Sequence, residues 1–157
     1  MKVATLGFPI RGNEILLGRK WNKAEIGKNI LNGPGGKLEP EDESLDACLI
    51  REVEQEMGIT PTAFEKKAVV TFFTSGVPGF EVHTYLIYEF AGEPRNTEEM
   101  TEVDWHTIGE ATYGKMHDGD LHWLPKFFEK PEKFNANLYY QERGKGFLGV
   151  EFLPFSG

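Results

Sequence analysis

Residues 35–59 read GGKLEPEDESLDACLIREVEQEMGI, and the fold is decided there. From Ser44 to Met57 the stretch holds no glycine or proline, and Gly58 follows at once. Leu45, Leu49, Val53 and Met57 recur every four residues, which predicts one helix with an apolar stripe facing a core. Gly58 is the expected stop, because glycine adopts the left-handed conformation that ends helices. Glu52 and Glu56 stand four apart and so project from one helix face. Two like charges at that spacing destabilise an isolated helix by roughly 0.2–0.5 kcal/mol. A hard divalent cation with oxygen ligands would relieve the repulsion. Arg51 offers a guanidinium that can brace a carboxylate through two hydrogen bonds. A solvated acidic helix face would also explain a lone Glu pair. Two features argue for a cation site instead: the loop Asn32-Gly33-Pro34-Gly35-Gly36, which forces an irregular backbone ahead of the helix, and the spacing of the whole stretch.

Outward from this segment, Val3 to Ile10 and Glu14 to Arg19 read as strands joined by Arg11-Gly12-Asn13. A polar loop is expected from Lys20 to about Asn32. Lys67 to Thr74 and Glu81 to Phe90 are rich in Val, Phe, Tyr and Thr and read as longer strands, with Ser75 to Gly79 turning between them. Glu102 to Thr107 is a shorter strand, and an irregular stretch runs from there to Gly119. A second helix is expected over Asp120 to Glu129, with Pro131 just beyond it. Asn137 to Gln141 and Phe147 to Phe152 close the chain as strands around Arg143-Gly144-Lys145-Gly146. No repeat, low-complexity tract or linker interrupts the pattern, which predicts one mixed α/β domain over residues 1–157.

Composition narrows the function. At 157 residues, 39% hydrophobic and 13% aromatic, the chain can build one packed core. Its formal net charge of -8 disfavours a nucleic-acid polymer, whose binding needs Lys and Arg against phosphates. A small phosphate ligand stays open, since a metal cation can bridge two anionic partners. Cys48 is the single cysteine, so no intrachain disulfide can form, and a reducing, cytoplasmic compartment is expected. Val3 to Ile10 is too short, and too broken by Gly7 and Pro9, for a membrane or signal helix. No membrane association and no obligate protein partner are expected.

The motif resembles that of the Nudix hydrolases, Gly-x5-Glu-x7-Arg-Glu-U-x-Glu-Glu-x-Gly-U, where U is a bulky aliphatic residue. Gly36, Glu43, Arg51, Glu52, Val53, Glu56, Gly58 and Ile59 supply it here. Two positions depart: six residues separate Gly36 from Glu43, an insertion near Glu39-Pro40, and Gln55 stands where the pattern has a glutamate. The resemblance implies an α/β/α sandwich with a central mixed sheet, and Mg²⁺-dependent hydrolysis of a nucleoside diphosphate derivative, with Mn²⁺ able to substitute. It implies metal ligation by Glu52, Glu56 and the Gly35 carbonyl, with Arg51 orienting Glu52 and Glu43 supporting the loop. Arg51, Glu52 and Glu56 are the catalytic candidates. A further acidic ligand is expected from a later loop, with Glu99 preferred over Glu98 and Glu102. Gln55 should weaken metal binding without abolishing it.

Beyond the motif, the chain is similar to one MutT-like branch, the oxidised-purine nucleoside triphosphatases, which includes 8-oxo-dGTP diphosphatases. Leu31 to Lys37, Glu98-Glu99-Met100 with Trp105, and Lys115 to Pro125 carry that likeness. It implies a base pocket formed by Thr5, Lys20, Asn32, Phe72 and Asp120, with Gly36, Lys37, His117 and Asp118 as further substrate-binding residues. His117 stands where the branch stacks a Trp, and Gly119 where it has its first base-reading Asp, with Asp118 one residue earlier. The implied activity splits an oxidised purine triphosphate such as 8-oxo-dGTP into the monophosphate and pyrophosphate. A Nudix hydrolase of nucleotide sugars or dinucleoside polyphosphates, and a non-catalytic nucleotide-binding module, are the alternatives. His117, His122, Asp118 and Asp120 show no regular spacing for a separate metal site. His83 and His106 are expected on strands, Trp21, Trp105 and Trp123 in the core or pocket wall, and Cys48 as a packed small residue rather than a nucleophile.

Overall fold

The computed structural model describes residues 1–20 and 29–157, so Trp21 and most of the expected polar loop lie outside the described residues. Strand β1 (Lys2–Arg11) is buried continuously from Ala4 to Pro9. A strand covered on both faces reads in this way, as a run of apolar residues rather than an alternation. Beside it lie β2 (Glu14–Lys20), β3 (Leu31–Asn32) and β4 (Gly35–Lys37). Helix α1 (Leu45–Met57) follows, then β5 (Thr60–Thr74), β6 (Val77–Ala91) and β7 (Met100–Thr107). Helix α2 (Glu110–Tyr113), a 3₁₀ turn (Asp120–His122), α3 (Leu124–Glu129), β8 (Phe134–Glu142) and β9 (Lys145–Pro154) complete the order.

The strands form a mixed sheet in the order β3-β2-β1-β6-β5-β8-β9, with β4 added to β1 and β7 to β2. The β1–β6 and β5–β8 pairs are parallel and the others antiparallel. One apolar cluster packs Leu49, Val53 and Met57 of α1 against Leu16, Tyr85, Ile87 and Met100. The other packs Tyr113, Met116, Trp123, Leu124 and Phe127 against Leu6, Phe8, Ala68, Val70 and Leu138 on the opposite face. The architecture is therefore an α/β/α sandwich.

Helix α1 forms as its sequence predicts and is capped at both ends. Ser44 accepts the Ala47 N–H at 3.1 Å, a bond whose loss typically costs about 1 kcal/mol. Gly58 takes the left-handed conformation at φ 73°, and its N–H reaches the Glu54 carbonyl at 3.0 Å.

Three expectations are corrected. The hairpin between β5 and β6 turns on Ser75 and Gly76 alone, both at positive φ (49° and 80°), because a two-residue turn of this hand matches strand twist. Val77 and Pro78 already pair with Thr74 and Phe73, and a register shift at Phe72/Phe73 accommodates the proline. The helix expected over Asp120–Glu129 is broken at Trp123, where φ is -130°, into a 3₁₀ turn and a short α-helix. The stretch before Gly119 contains α2 rather than being wholly irregular.

The sheet forks at β1, which sets up the site. Ala4 to Leu6 pair with β4, whereas β2 joins β1 only at Ile10 and Arg11. A gap therefore opens between β2–β3 on one side and β1–β4 on the other.

Candidate active site

A cavity of about 480 Å³ lies at this fork, a volume typical of small-molecule sites. Its polar wall includes Lys20, Gly35, Gly36, Lys37, Arg51, Glu52, Gln55, Glu56 and Glu99. Its other wall includes Leu6, Asn32, Phe72, Phe80, Val82, His117, Asp120 and Trp123. One chamber thus joins a carboxylate cluster to an aromatic compartment.

Glu56 is 4% exposed although it carries a carboxyl group. Its Oε1 accepts the Gly35 N–H at 3.0 Å, and Oε2 lies 3.6 Å from the Lys20 ammonium. Burial pushes its pKa up to about 7, against the pull of Lys20 and of the Gly35 N–H, and the neighbouring Glu52 carboxyl adds to the rise. Glu52 lines the same cavity, and a proton or a cation between the two carboxyls relieves their repulsion.

Gly35 and Gly36 permit this approach. A Cβ on Gly35 would run into the Thr5 carbonyl, and one on Gly36 would come within 2.5 Å of the Glu52 carboxyl carbon. Two carboxylates and the backbone oxygen of Gly35 form a hard-oxygen donor set, which suits Mg²⁺ or Mn²⁺. Among the described residues, no group of three His, Cys, Asp or Glu side chains converges on one metal position. Glu99 lines the cavity, whereas Glu102 is exposed and paired with Arg19 at 3.1 Å, and Glu98 is exposed. The Glu99 loop is tied to α1 by Thr97, whose hydroxyl donates to the Glu56 carbonyl at 2.9 Å and accepts the Glu99 and Met100 N–H groups at 3.2 Å.

Arg51 orients Glu52 with a 2.7 Å bond from Nη1 to Oε1. Its bidentate partner, however, is Asp42: Nε donates to Oδ1 and Nη2 to Oδ2, both at 2.8 Å. Asp42 Oδ2 also accepts the Glu39 N–H at 2.9 Å, and Arg51 Nη2 reaches the Lys37 carbonyl at 3.2 Å. The loop support expected of Glu43 is thus made by Asp42, and Glu43 is exposed. The extra residue in the loop turns the earlier carboxylate toward Arg51. Five residues separate Gly36 from Asp42, the motif's own interval, and that count was the signal available in the sequence.

In the aromatic compartment, Asp120 is 4% exposed and burial pushes its pKa up to about 7. Its Oδ1 accepts Trp123 Nε1–H and Oδ2 the His117 N–H, both at 3.0 Å. His117 packs edge-on to Phe72 with ring centroids 5.9 Å apart, so it is a wall rather than an open stacking platform. Burial lowers its pKa. Asn32 Oδ1 accepts the Gly33 N–H at 2.8 Å, which fixes the orientation of its amide.

Three expected substrate-binding residues sit differently. Asp118 is exposed and outside the cavity: its carboxylate accepts the Phe147 N–H at 3.0 Å and its carbonyl the Tyr140 hydroxyl at 2.5 Å. The terminal hairpin has drawn it away. Thr5 lines the cavity, but its hydroxyl lies 3.5 Å from Cys48 Sγ, toward α1. Lys20 lies at the carboxylate cluster rather than with the aromatic residues. Cys48 is fully buried and burial pushes its thiol up to about 11, which fits a packed residue. Trp123 is pocket wall and His83 and His106 lie on β6 and β7, while His122 stacks on Phe147 at 4.8 Å.

A sandwich whose helix carries Arg51, Glu52 and Glu56 beside a Gly-rich loop has the layout expected of a hydrolase of pyrophosphate bonds. The NUDIX domain family matches residues 1–127, and the chain belongs to that family. A mutator MutT protein from Bacillus halodurans is 21% identical, with 97% of each chain covered and a TM-score of 0.77. A MutT NUDIX hydrolase from Burkholderia pseudomallei is 25% identical over 69% of this chain and 87% of its own, with a TM-score of 0.60. A bifunctional NMN adenylyltransferase/ADP ribose pyrophosphatase from Francisella tularensis is 20% identical, covering 82% of this chain and 41% of its own, with a TM-score of 0.60.

Proposed function

We propose that this NUDIX protein is a Mg²⁺-dependent pyrophosphohydrolase that converts a nucleoside triphosphate, preferentially an oxidised purine such as 8-oxo-dGTP, to the monophosphate and pyrophosphate. The observation that carries the reading is the single cavity in which buried Glu56 and its neighbour Glu52 face the Gly35–Gly36 loop and an aromatic compartment adjoins it. Gly35, Glu52, Glu56 and Glu99 are the residues that would hold the cation. When bound, Mg²⁺ or Mn²⁺ supplies neutralisation of the phosphate oxygens and activation of a water.

The chain's own groups do the rest. Arg51, anchored by Asp42, holds Glu52 in place, and the Gly35 N–H holds one oxygen of Glu56. Either glutamate can take a proton from an attacking water, with Glu56 favoured as the more enclosed of the two. Phe72, His117 and Trp123 enclose a base, while Asn32 and Asp120 offer polar atoms to its edge. Asp120, with a pKa near neutrality, can stand protonated or ionised at pH 7, and so can donate to or accept from a base. Oxidation at C8 turns N7 into an N–H donor and adds an oxygen acceptor, a pattern such a group can read. Buried polar readout discriminates strongly, because the wrong base leaves its partner unpaired.

The substrate is a small nucleotide and not a nucleic-acid polymer, in keeping with the net charge of -8. Among the described residues, no helix is long and apolar enough to cross a membrane. With one buried cysteine and no disulfide, a reducing cytoplasm is the compartment proposed. The second reading is hydrolysis of another nucleoside diphosphate derivative. It is favoured by His117, which stands edge-on to Phe72 and offers a smaller ring than the Trp of the oxidised-purine branch. Competition between 8-oxo-dGTP, dGTP, dATP and ADP-ribose decides. A higher kcat/KM for 8-oxo-dGTP than for dGTP is expected, whereas equal values across the purines reject the oxidised-base preference and ADP-ribose ahead of all triphosphates favours the second reading.

A further inference from the structure

Lys20, on the metal-dependent reading above, occupies part of the cation site. Lys20 closes β2, where its backbone is held on both sides: it pairs with Met100 of β7, and its carbonyl accepts the Asn29 N–H at 2.8 Å. From that anchored backbone the ammonium donates to the Gly35 carbonyl and lies 3.6 Å from Glu56 Oε2. These are two of the oxygens expected to hold the divalent cation. An ammonium and a metal ion that approach the same two oxygens crowd and repel each other, more strongly away from bulk water, so each weakens the other's hold there. The Lys20 side chain is 19% exposed and lines the cavity, so its flexible stem can carry the charge elsewhere without leaving the chamber.

We propose that Lys20 is a tethered cation that competes with the divalent metal for Gly35 and Glu56, and that metal loading releases its ammonium into the nucleotide cavity. Two consequences follow. The metal affinity of the protein is weaker than its donor set alone would give. A bound polyphosphate, which attracts the released ammonium, strengthens metal binding, and by linkage the metal strengthens nucleotide binding by the same factor.

The test is Mn²⁺ binding without nucleotide, followed by the electron paramagnetic resonance of free Mn²⁺ at pH 8. Wild type, Lys20→Met, Lys20→Gln and Lys20→Arg are compared, with Glu56→Gln marking the site. Both neutral variants should bind Mn²⁺ at least fivefold more tightly than wild type, and Lys20→Arg should not. Lys20→Gln preserves a donor to the Gly35 carbonyl, so it reads the charge even if Lys20→Met fails to fold. Equal or weaker Mn²⁺ binding in the neutral variants overturns the proposal while leaving the metal site intact. A wild type without any Mn²⁺ site that Glu56→Gln removes overturns the metal-dependent reading itself, and the proposal with it.

Discussion

Arg51 grips Asp42 through two parallel 2.8 Å hydrogen bonds, so the loop before α1 is fastened to the helix that carries Glu52 and Glu56. The Asp42 side chain is only 5% exposed, and the guanidinium bonded to it holds its pKa well below the ordinary 3.8. Removing that charge leaves Arg51 without its main partner. Asp42→Asn should cost about 1.5–3 kcal/mol in urea unfolding at pH 7, the range for hydrogen bonds to charged groups. Glu43→Gln, on an exposed carboxylate, should stay within about 0.5 kcal/mol. Because the folded pKa is depressed, the stabilisation is complete above the unfolded value near 4 and is lost as pH falls toward the folded value. Asp42→Asn should therefore lose less stability than wild type between pH 4 and 2; an equal loss would contradict the assignment.

Glu56→Gln keeps shape and removes charge, so turnover should fall by roughly 10²–10⁴-fold with the fold retained. Glu52→Gln should behave similarly. Gln55→Glu, which adds a carboxylate to the cavity wall, should be mild in turnover and should tighten Mg²⁺ dependence. Steady-state kinetics against Mg²⁺ concentration reads all three. Wild-type turnover in Glu56→Gln with an unchanged Mg²⁺ profile would show that the cation site is elsewhere.

Asp120 gives a pH signature in stability. Its folded pKa, near 7, lies above the ordinary 3.8 because the carboxyl is buried. Between those values the folded protein holds a proton that the unfolded chain has lost, so this group makes stability fall as pH rises from about 4 to about 7 and contributes no slope above that. Asp120→Asn removes the titration. The difference in unfolding free energy between wild type and Asp120→Asn should drift across that window and level off beyond it. A difference independent of pH would mean that Asp120 is ionised throughout.

The same residue should govern base choice. Asp120→Ala should erase most of any preference for the oxidised purine, since an unpaired buried base contact is worth roughly 1–3 kcal/mol. His117→Trp, which enlarges the aromatic wall, should sharpen the preference. Competitive kinetics on dGTP, dATP and their oxidised forms reads both. Asp118→Ala, outside the cavity, should leave the preference unchanged.

Legibility followed sequence distance. The stripe Leu49, Val53, Met57 and the stop at Gly58 are local, and α1 lies where they place it. Glu52, Glu56 and Arg51 follow from helical periodicity, and all line the cavity. For Asp42 the spacing is divided, since Asp42 keeps the motif's interval from Gly36 while Glu43 keeps its interval to Arg51, and loop geometry decides which carboxylate faces the guanidinium. The position of Asp118 is not legible locally, because the groups that hold it, Tyr140 and Phe147, lie 22 and 29 residues away. Lys20 could not be placed at Glu56 from sequence, since that contact depends on the fork of the sheet at β1.

The most direct test of the central claim is the product of the reaction. Purified protein is incubated with 8-oxo-dGTP in Mg²⁺, with and without excess EDTA, and the nucleotides and phosphates are separated by anion-exchange chromatography. The account predicts equal amounts of 8-oxo-dGMP and pyrophosphate with Mg²⁺, and neither in EDTA. Undiminished turnover in EDTA, or orthophosphate and 8-oxo-dGDP as the products, would contradict it.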